Sequence, residues 1–320
     1  MVKWGRKPKE RRKIVKKTVK KRFFKLLAAS MAMSIFIGCA AALNVGATEV
    51  ADGGAEVVSE RSVSRSLPEG AQRTGVNVNG RRVLEGRVFV LDGITYVPMF
   101  KFADWLGVFK YSTSSSGSVT SGRIDGENLV ITASENSLYI NANGRYFYTV
   151  GKVMEIGGEL YVPITPLVKA LNSRLSYGNG TYSVSSGDTR RLKGAERVYD
   201  DGAVYWLSRI ISAEARGESL RGKMAVGNVV LNRVRSTQFP NTIYGVIFDK
   251  KYGVQFAPTA NGTIYHAPTE ESIIAAKMCL EGYSISNTAL YFFNPRYTSG
   301  SWVRQNREYA FTLGTHMFFN

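Results

Sequence analysis

The stretch AVYWLSRIISAEARGESLRGKMAVGNVVLNRV, residues 203–234, holds two helical patterns and an acid on the inward stripe of the first. Val204, Leu207, Ile210 and Ile211 recur at helical spacing, which predicts a helix from about Gly202 to Ala215. Glu214 continues that row, seven residues after Leu207, four after Ile210 and three after Ile211. Charged side chains are rare on such a stripe. Desolvation there disfavours the anion and keeps a proton on the carboxyl near neutrality. Protonating a glycosidic leaving oxygen requires that state. The row alone leaves open a buried Glu satisfied by Arg209, Arg216 or a backbone amide.

Gly217 breaks the first helix, and Glu218-Ser219 precede a second that carries Leu220, Met224, Gly227, Leu231 and Val234. Glu218 invites a reading as a second carboxylate. The competing reading is an acid in the first turn, stabilised by the N-terminal dipole of the second helix. Because Gly217 interrupts the register, the ~5 Å separation of a nucleophile pair does not follow from the spacing.

Upstream, GRVFVLDGITYVPMFKFADWLG (86–107) matches GKVMEIGGELYVPITPLVKALN (151–172) at a constant offset of 65. Each copy predicts a strand, a turn at Asp92-Gly93 or Gly157-Gly158, a strand ending at Tyr-Val-Pro, and a helix. Proline has no N–H for a ladder and closes the second strand. SLYINANGRYFYTV (137–150) adds further strands by alternation. Residues 76–187 are therefore expected to form a module of two related halves, with no acid–base pair or ligand cluster of its own. Residues 48–75 and 188–200 read as polar linkers, the first too poor in large apolar residues to offset its ordering entropy.

Downstream, Gln255 of QFAP (255–258) carries an amide that can hydrogen-bond an amide group of a ligand or cap local backbone. In LYFFNPRYTSGSWV (290–303), Tyr291 is one of several crowded aromatics, while Asn294 and Trp302 fall in turn-like sequence. Aromatics exposed there can stack on sugar rings. His316, in an apparent terminal strand, reads as a structural hydrogen-bonding group. His266 and Glu270 have i, i+4 spacing, but Pro268 intervenes and no second histidine is near, so no metal site is expected. Cys279 reads as a small core residue of a helix over 269–282.

The chain has 320 residues, 42 Lys+Arg and 25 Asp+Glu, for a formal charge of +17. Thirteen basic residues and one acid lie between Met1 and Lys25, so the remainder carries only +5. The basic pI therefore belongs to a leader and is no nucleic-acid signature. An apolar stretch follows from Phe23 to Leu43, then NVGATE, in which Val45 and Ala47 suit a signal-peptidase site. Residues 1–47 read as a signal peptide cut after Ala47 or as an uncleaved membrane anchor, with lipidation at Cys39 a weaker third option. Every option puts the body outside the membrane, and only this segment in it.

At the level of motifs, SAEARGESLRGKMAVGNVVLNRV (212–234), FPNTIYGVIF (239–248), QFAP (255–258) and GTHMFF (314–319) resemble the SleB/CwlJ-type, spore-cortex-lytic cell-wall hydrolase family. The hairpin, YVP and helix of 76–187 resemble the copper amine oxidase N-terminal-like (stalk) domain of bacterial envelope proteins. That second resemblance implies neither copper nor oxidase activity here. Together they imply an α+β chain: a two-repeat β-hairpin/helix module, then a small helix-rich, lytic-transglycosylase/lysozyme-like domain over 201–320. They imply a cell-envelope enzyme, of cell wall or spore, that cleaves N-acetylmuramic acid–N-acetylglucosamine bonds of peptidoglycan without a cofactor. Glu214 is the catalytic acid under this resemblance. Glu218, Gln255, Tyr291, Asn294 and Trp302 are the candidate substrate-binding residues, and residues 76–187 would hold a wall polymer or an envelope protein. A lytic transglycosylase needs one carboxylate. A hydrolytic muramidase with Glu218 as partner, and a non-catalytic wall-binding protein, are the alternatives.

Overall fold

Polar residues with glycine at the right places make the hairpins of the first part of the molecule. The computed structural model describes residues 66–107, 110–187 and 192–320, all within one compact unit. The leader, the cleavage after Ala47 and Cys39 lie outside the described residues. Strand β1 (Gln72–Val78) begins inside the stretch read as a linker and pairs antiparallel with β2 (Arg81–Leu91). The turn from β2 to β3 (Ile94–Pro98) has φ of 51° at Asp92 and 75° at Gly93. Two successive positive φ values define the type I′ hairpin, which glycine and short polar residues tolerate. Helix α1 (Met99–Asp104) starts on Pro98.

A five-stranded antiparallel meander follows: β4 (Lys110–Ser116), β5 (Val119–Asp125), β6 (Val130–Ser134), β7 (Tyr139–Ala142) and β8 (Arg145–Tyr148). Then β9 (Met154–Ile156) turns at Gly157-Gly158 into β10 (Glu159–Pro163), and α2 (Ile164–Ala170) starts on Pro163. Strands β3 and β10 pair with each other, Val97 opposite Val162, Tyr96 opposite Pro163 and Pro98 opposite Tyr161. The two Tyr-Val-Pro segments thus run antiparallel as neighbours in a seven-stranded sheet. Strands β11 (Arg174–Gly178) and β12 (Thr181–Ser185) complete it, in the order β11-β12-β1-β2-β3-β10-β9. Its core joins Val97, Met99 and Phe102 to Val162, Ile164 and Leu167, all buried.

After α3 (Ala195–Val198) come α4 (Asp201–Ala215), α5 (Leu220–Arg235), α6 (Ile243–Ile247), α7 (Ala257–Asn261) and α8 (Glu270–Leu280). Strand β13 (Tyr291–Phe293), α9 (Ser301–Asn306), β14 (Tyr309–Leu313) and β15 (His316–Phe319) close the chain, β15 lying between the other two strands. The molecule is mixed α+β. Helices α4, α5 and α8 cross closely around Gly227, where a Cβ would come 2.8 Å from Ile211 Cδ1 and 3.0 Å from Cys279 Sγ. Cys279 is buried, and burial pushes its thiol up to about 12, so it is an inert part of this crossing.

The two parts meet along a seam of tyrosines and one ion pair. Tyr139, Tyr146 and Tyr148 of the meander pack against the helical core. Arg145 forms a bidentate ion pair with Glu281, at 2.6 and 2.7 Å, and Tyr199 donates a third hydrogen bond to the same carboxylate. Lys277 donates to the Gly144 carbonyl at 3.2 Å. With Arg145 and Glu281 only 17% and 5% exposed, removing either partner strands the other charge in a poorly solvated place.

Candidate active site

The α4–α5 segment becomes a site because a helix end, a cap and a break fall within six residues. The Asp200 side chain caps α4 by accepting from the Ala203 amide at 2.8 Å. Leu207, Ile210, Ile211 and Ala215 are buried on the inner face, and Glu214 is drawn partly inward with them. Its carboxyl lines a cleft of about 400 Å³ with Arg209, Ser212, Pro258, Asn261, Thr263 and His266. Burial alone pushes the Glu214 carboxyl up to about 7. Among the described residues it makes no ion pair or hydrogen bond that would hold it ionised. Arg209, the nearest candidate on its own helix, lies instead over the Tyr205 ring at 3.6 Å and donates to the Tyr205 carbonyl. Arg216 is exposed.

Glu218 is treated in the opposite way. Ser219, one residue later, caps α5 by accepting from the Gly222 amide. Glu218 itself reaches across to the turn between β14 and β15, so the dipole of α5's first turn is not its main partner. Thr315 donates to it twice, from the backbone amide at 3.2 Å and from the hydroxyl, and His316 Nδ1 lies 3.5 Å away. Burial acts to raise the Glu218 carboxyl. The Thr315 hydrogen bonds and the adjacent His316 outweigh it and hold the group below its ordinary value. A Cβ on Gly314, whose φ is +60°, would fall 1.8 Å from Glu218 Oε2, so a side chain here would push the carboxylate off the turn. Burial lowers the His316 value, with Glu218 opposing, and the ring packs edge-on against Phe292. Asn294 joins the same group, its amide donating to Thr315 Oγ1 at 2.8 Å and its carbonyl accepting from the Arg296 amide.

Gln255, Tyr291 and Trp302 meet elsewhere, on the wall of a cavity of about 860 Å³. Gln255 accepts from Arg233 at 3.3 Å and donates to the Gly253 carbonyl. Trp302, expected in a turn, lies on α9, a short helix that opens at Gly300 with φ of 57° and buries none of its residues. It is 55% exposed and meets Tyr291 edge-on at 6.1 Å. The segment Gln255–Pro258 separates this cavity from the Glu214 cleft, since Gln255 lines one and Ala257 and Pro258 line the other. Two residues span about 7 Å at most, so the linings of the two openings come together at this segment.

Arg233 and Arg307, which no sequence pattern singled out, also line the larger cavity. Arg233 sits in LNRV, within a helix whose residues from Gly222 to Arg233 are buried on every side. A one-face reading of that helix has no place for it.

Comparison with known proteins matches residues 217–319 to the family model described as Cell Wall Hydrolase, a match that opens three residues after Glu214. The spore cortex-lytic enzyme of Bacillus cereus is 35% identical over 120 residues, which is 38% of this chain and 45% of that protein. The cell wall hydrolase CwlJ of Oceanobacillus iheyensis is 32% identical over 104 residues, 30% of this chain and 72% of that protein. The catalytic domain of the germination-specific lytic transglycosylase SleB from Bacillus anthracis is 34% identical, with a TM-score of 0.35, over 38% of this chain and 97% of that one. The chain spans about half the length of the curated spore cortex-lytic enzymes it matches first.

Proposed function

Because the chain belongs to the cell wall hydrolase family, we propose that it is a peptidoglycan-cleaving enzyme of the cell envelope, with Glu214 as its acid. The observation that carries this reading is a carboxyl pushed to about 7 by desolvation alone, open to a cleft and free of any cationic partner among the described residues. Such a group holds a proton at neutrality and can still give it up.

In the proposed reaction the glycan strand lies across the cleft with a muramic acid C1–O4 bond at Glu214. The proton passes from Glu214 to O4 as that bond breaks and C1 gains oxocarbenium character. The C6 hydroxyl of the same ring then bonds to C1 and returns its proton to Glu214. The products are a free 4-hydroxyl and a 1,6-anhydro end, and no water is consumed. One carboxylate is sufficient. Hydrolysis would need a second acid to position water, and the nearest, Glu218, has its carboxylate committed to Thr315. Gln255, Tyr291 and Trp302, on the neighbouring cavity, are the proposed contacts to sugar rings beyond the scissile bond. Glu218 and Asn294, also expected at the substrate, support the reading less directly, through the C-terminal turn that they hold.

Residues 76–187 are proposed as a stalk-type module of two hairpin–helix halves, the pairing of Val97 with Val162 relating the two. On this reading it offers a surface to a wall polymer or envelope protein, and the N-terminal segment delivers the whole to the outside of the membrane. The names of the relatives favour spore-cortex peptidoglycan as the substrate to try first.

Incubating the full chain with cortex and vegetative sacculi and identifying released muropeptides by mass spectrometry tests the reading. Anhydro-muramic ends that vanish with Glu214→Gln are expected. Reducing ends would replace transglycosylation by hydrolysis, and no products from either substrate would remove the enzyme altogether.

A further inference from the structure

The larger cavity holds more positive charge than a sugar subsite needs. Arg233, Lys251 and Arg307 line it, against Asp249 as the one acid of its wall. Arg233 is only 5% exposed and has no carboxylate in ion-pairing contact among the described residues. Its hydrogen bonds go to two neutral acceptors, the Leu290 carbonyl at 2.7 Å and Gln255 Oε1 at 3.3 Å. Burial pulls Arg233 down to about 10, with the nearby Tyr291 and Asp249 opposing, which leaves it a cation at neutral pH. Three aromatic rings, Phe239, Phe256 and Tyr291, surround it at 4.8 to 5.3 Å.

Arg307 is half-buried and shares the Tyr291 ring with Arg233. Its guanidinium lies over Tyr291 at 4.6 Å and over Trp302 at 5.2 Å, and its buried Nε–H has no hydrogen-bond partner. A buried cation with no ion-paired or hydrogen-bonded carboxylate is costly, and an unmade hydrogen bond from a charged group costs more than one from a neutral group. Aromatic faces offset part of this but supply no acceptor. A planar carboxylate supplies two, in the geometry that a guanidinium fork matches.

We propose that this cavity binds a carboxylate of the peptidoglycan itself, borne by the stem peptide of a muramic acid next to the scissile bond, whose own lactyl carboxyl is used up in the amide to that peptide. The proposal rests on the glycan-cleaving reading of the Glu214 cleft, and the shared Gln255–Pro258 segment links the two openings. A strand seated at Glu214 then sends its acidic substituent over Gln255 toward Arg307, with Arg233 behind. Tyr291 and Trp302 act as the platform that fixes the guanidinium as well as a surface for sugar. Muramic residues without a free carboxylate would use the cleft but leave the cavity empty.

The test is a binding cycle with the full chain carrying Glu214→Gln, so that strands stay intact. Soluble glycan strands with their stem peptides are compared with the same strands after carbodiimide coupling to methylamine, which caps every carboxylate. Capping is expected to weaken binding about tenfold or more, the worth of a charge-assisted pair. Adding Arg307→Gln should cause the same loss on native strands and make capping nearly silent. The basic leader is common to both proteins and cancels in the cycle. Lys251→Gln, at an exposed position, repeats the cycle with a smaller loss and covers the case in which Arg307→Gln folds poorly. Amidase-stripped strands lose the peptide and gain a free lactyl carboxylate in its place: lost affinity assigns the site to the peptide carboxylate, and retained affinity that carbodiimide capping leaves unchanged would overturn the proposal. Equal binding of native and capped strands, or losses from capping and from Arg307→Gln that simply multiply, would overturn the proposal. Failure of the Glu214-bearing parent to cleave any strand would instead remove the enzymatic reading, and this cycle still reads the cavity.

Discussion

Glu214 and Glu218 lie four residues apart, at the end of one helix and the approach to the next, and the molecule treats them oppositely. Glu214 is moved out of water and given nothing, so its proton is retained to about 7. Glu218 is also withdrawn from water, only 9% exposed, but it receives two hydrogen bonds from Thr315 and the company of His316, so it stays ionised. Burial is common to both. Donors decide the charge, and the charge decides what each group can do: one keeps a proton that it can give up, the other fastens the C-terminal hairpin to the helices.

The largest expected break in this comparison is in turnover. Glu214→Gln should lower the release of muropeptides by about 10²- to 10⁴-fold or more, the range of a positioned general acid. Circular dichroism should show the fold retained. The second effect is on stability and runs with pH. A carboxyl whose folded value lies above its ordinary value contributes most below that ordinary value and loses the contribution as pH rises through about 7. Against an ordinary 4.5, this amounts to at most about 3 kcal/mol at pH 8. Glu214→Gln, which cannot ionise, is therefore expected to be more stable than the native chain at pH 8 and no more stable at pH 3.5, in chemical denaturation.

Glu218 should give the reverse slope. Its depressed value means stability that is present above the ordinary carboxylate range and lost as pH falls through the folded value. Glu218→Ala leaves the Thr315 amide and hydroxyl without their acceptor and should cost about 1–3 kcal/mol at pH 7. Turnover measured well below the melting temperature should persist, and its loss to the level of Glu214→Gln would make Glu218 a second catalytic acid. The smallest effect belongs to the neighbouring cavity. Trp302→Ala removes a half-exposed ring and should raise the apparent KM a few-fold with little change in kcat, in line with about 1 kcal/mol for such contacts.

Local patterns carried Glu214, because one helix face exposes its own exception: an acid on a row of Leu and Ile. The hairpins of the first part follow from Asp92-Gly93 and Gly157-Gly158, whose positive φ values few other residues accept. What pairs across the molecule was not legible. Glu218 finds Thr315 after a gap of 97 residues, and Arg145 finds Glu281 after 136. Nothing in either neighbourhood marks its partner. Arg233 was hidden for another reason, since α5 is buried nearly all round and a pattern that sorts residues into inward and outward faces misplaces a buried guanidinium. SWVRQN has no apolar period, so sequence pattern predicts turns around Trp302 where the chain forms a short exposed helix with nothing to bury.

The most direct measurement is a titration of the Glu214 carboxyl by ¹³C NMR in the full chain, with Glu214→Gln identifying the resonance. A midpoint near 7, well separated from the other glutamates, is the expected result. A midpoint at or below the ordinary 4.5 would mean that the carboxyl is ionised at neutrality, and Glu214 could not then be the acid that starts the reaction.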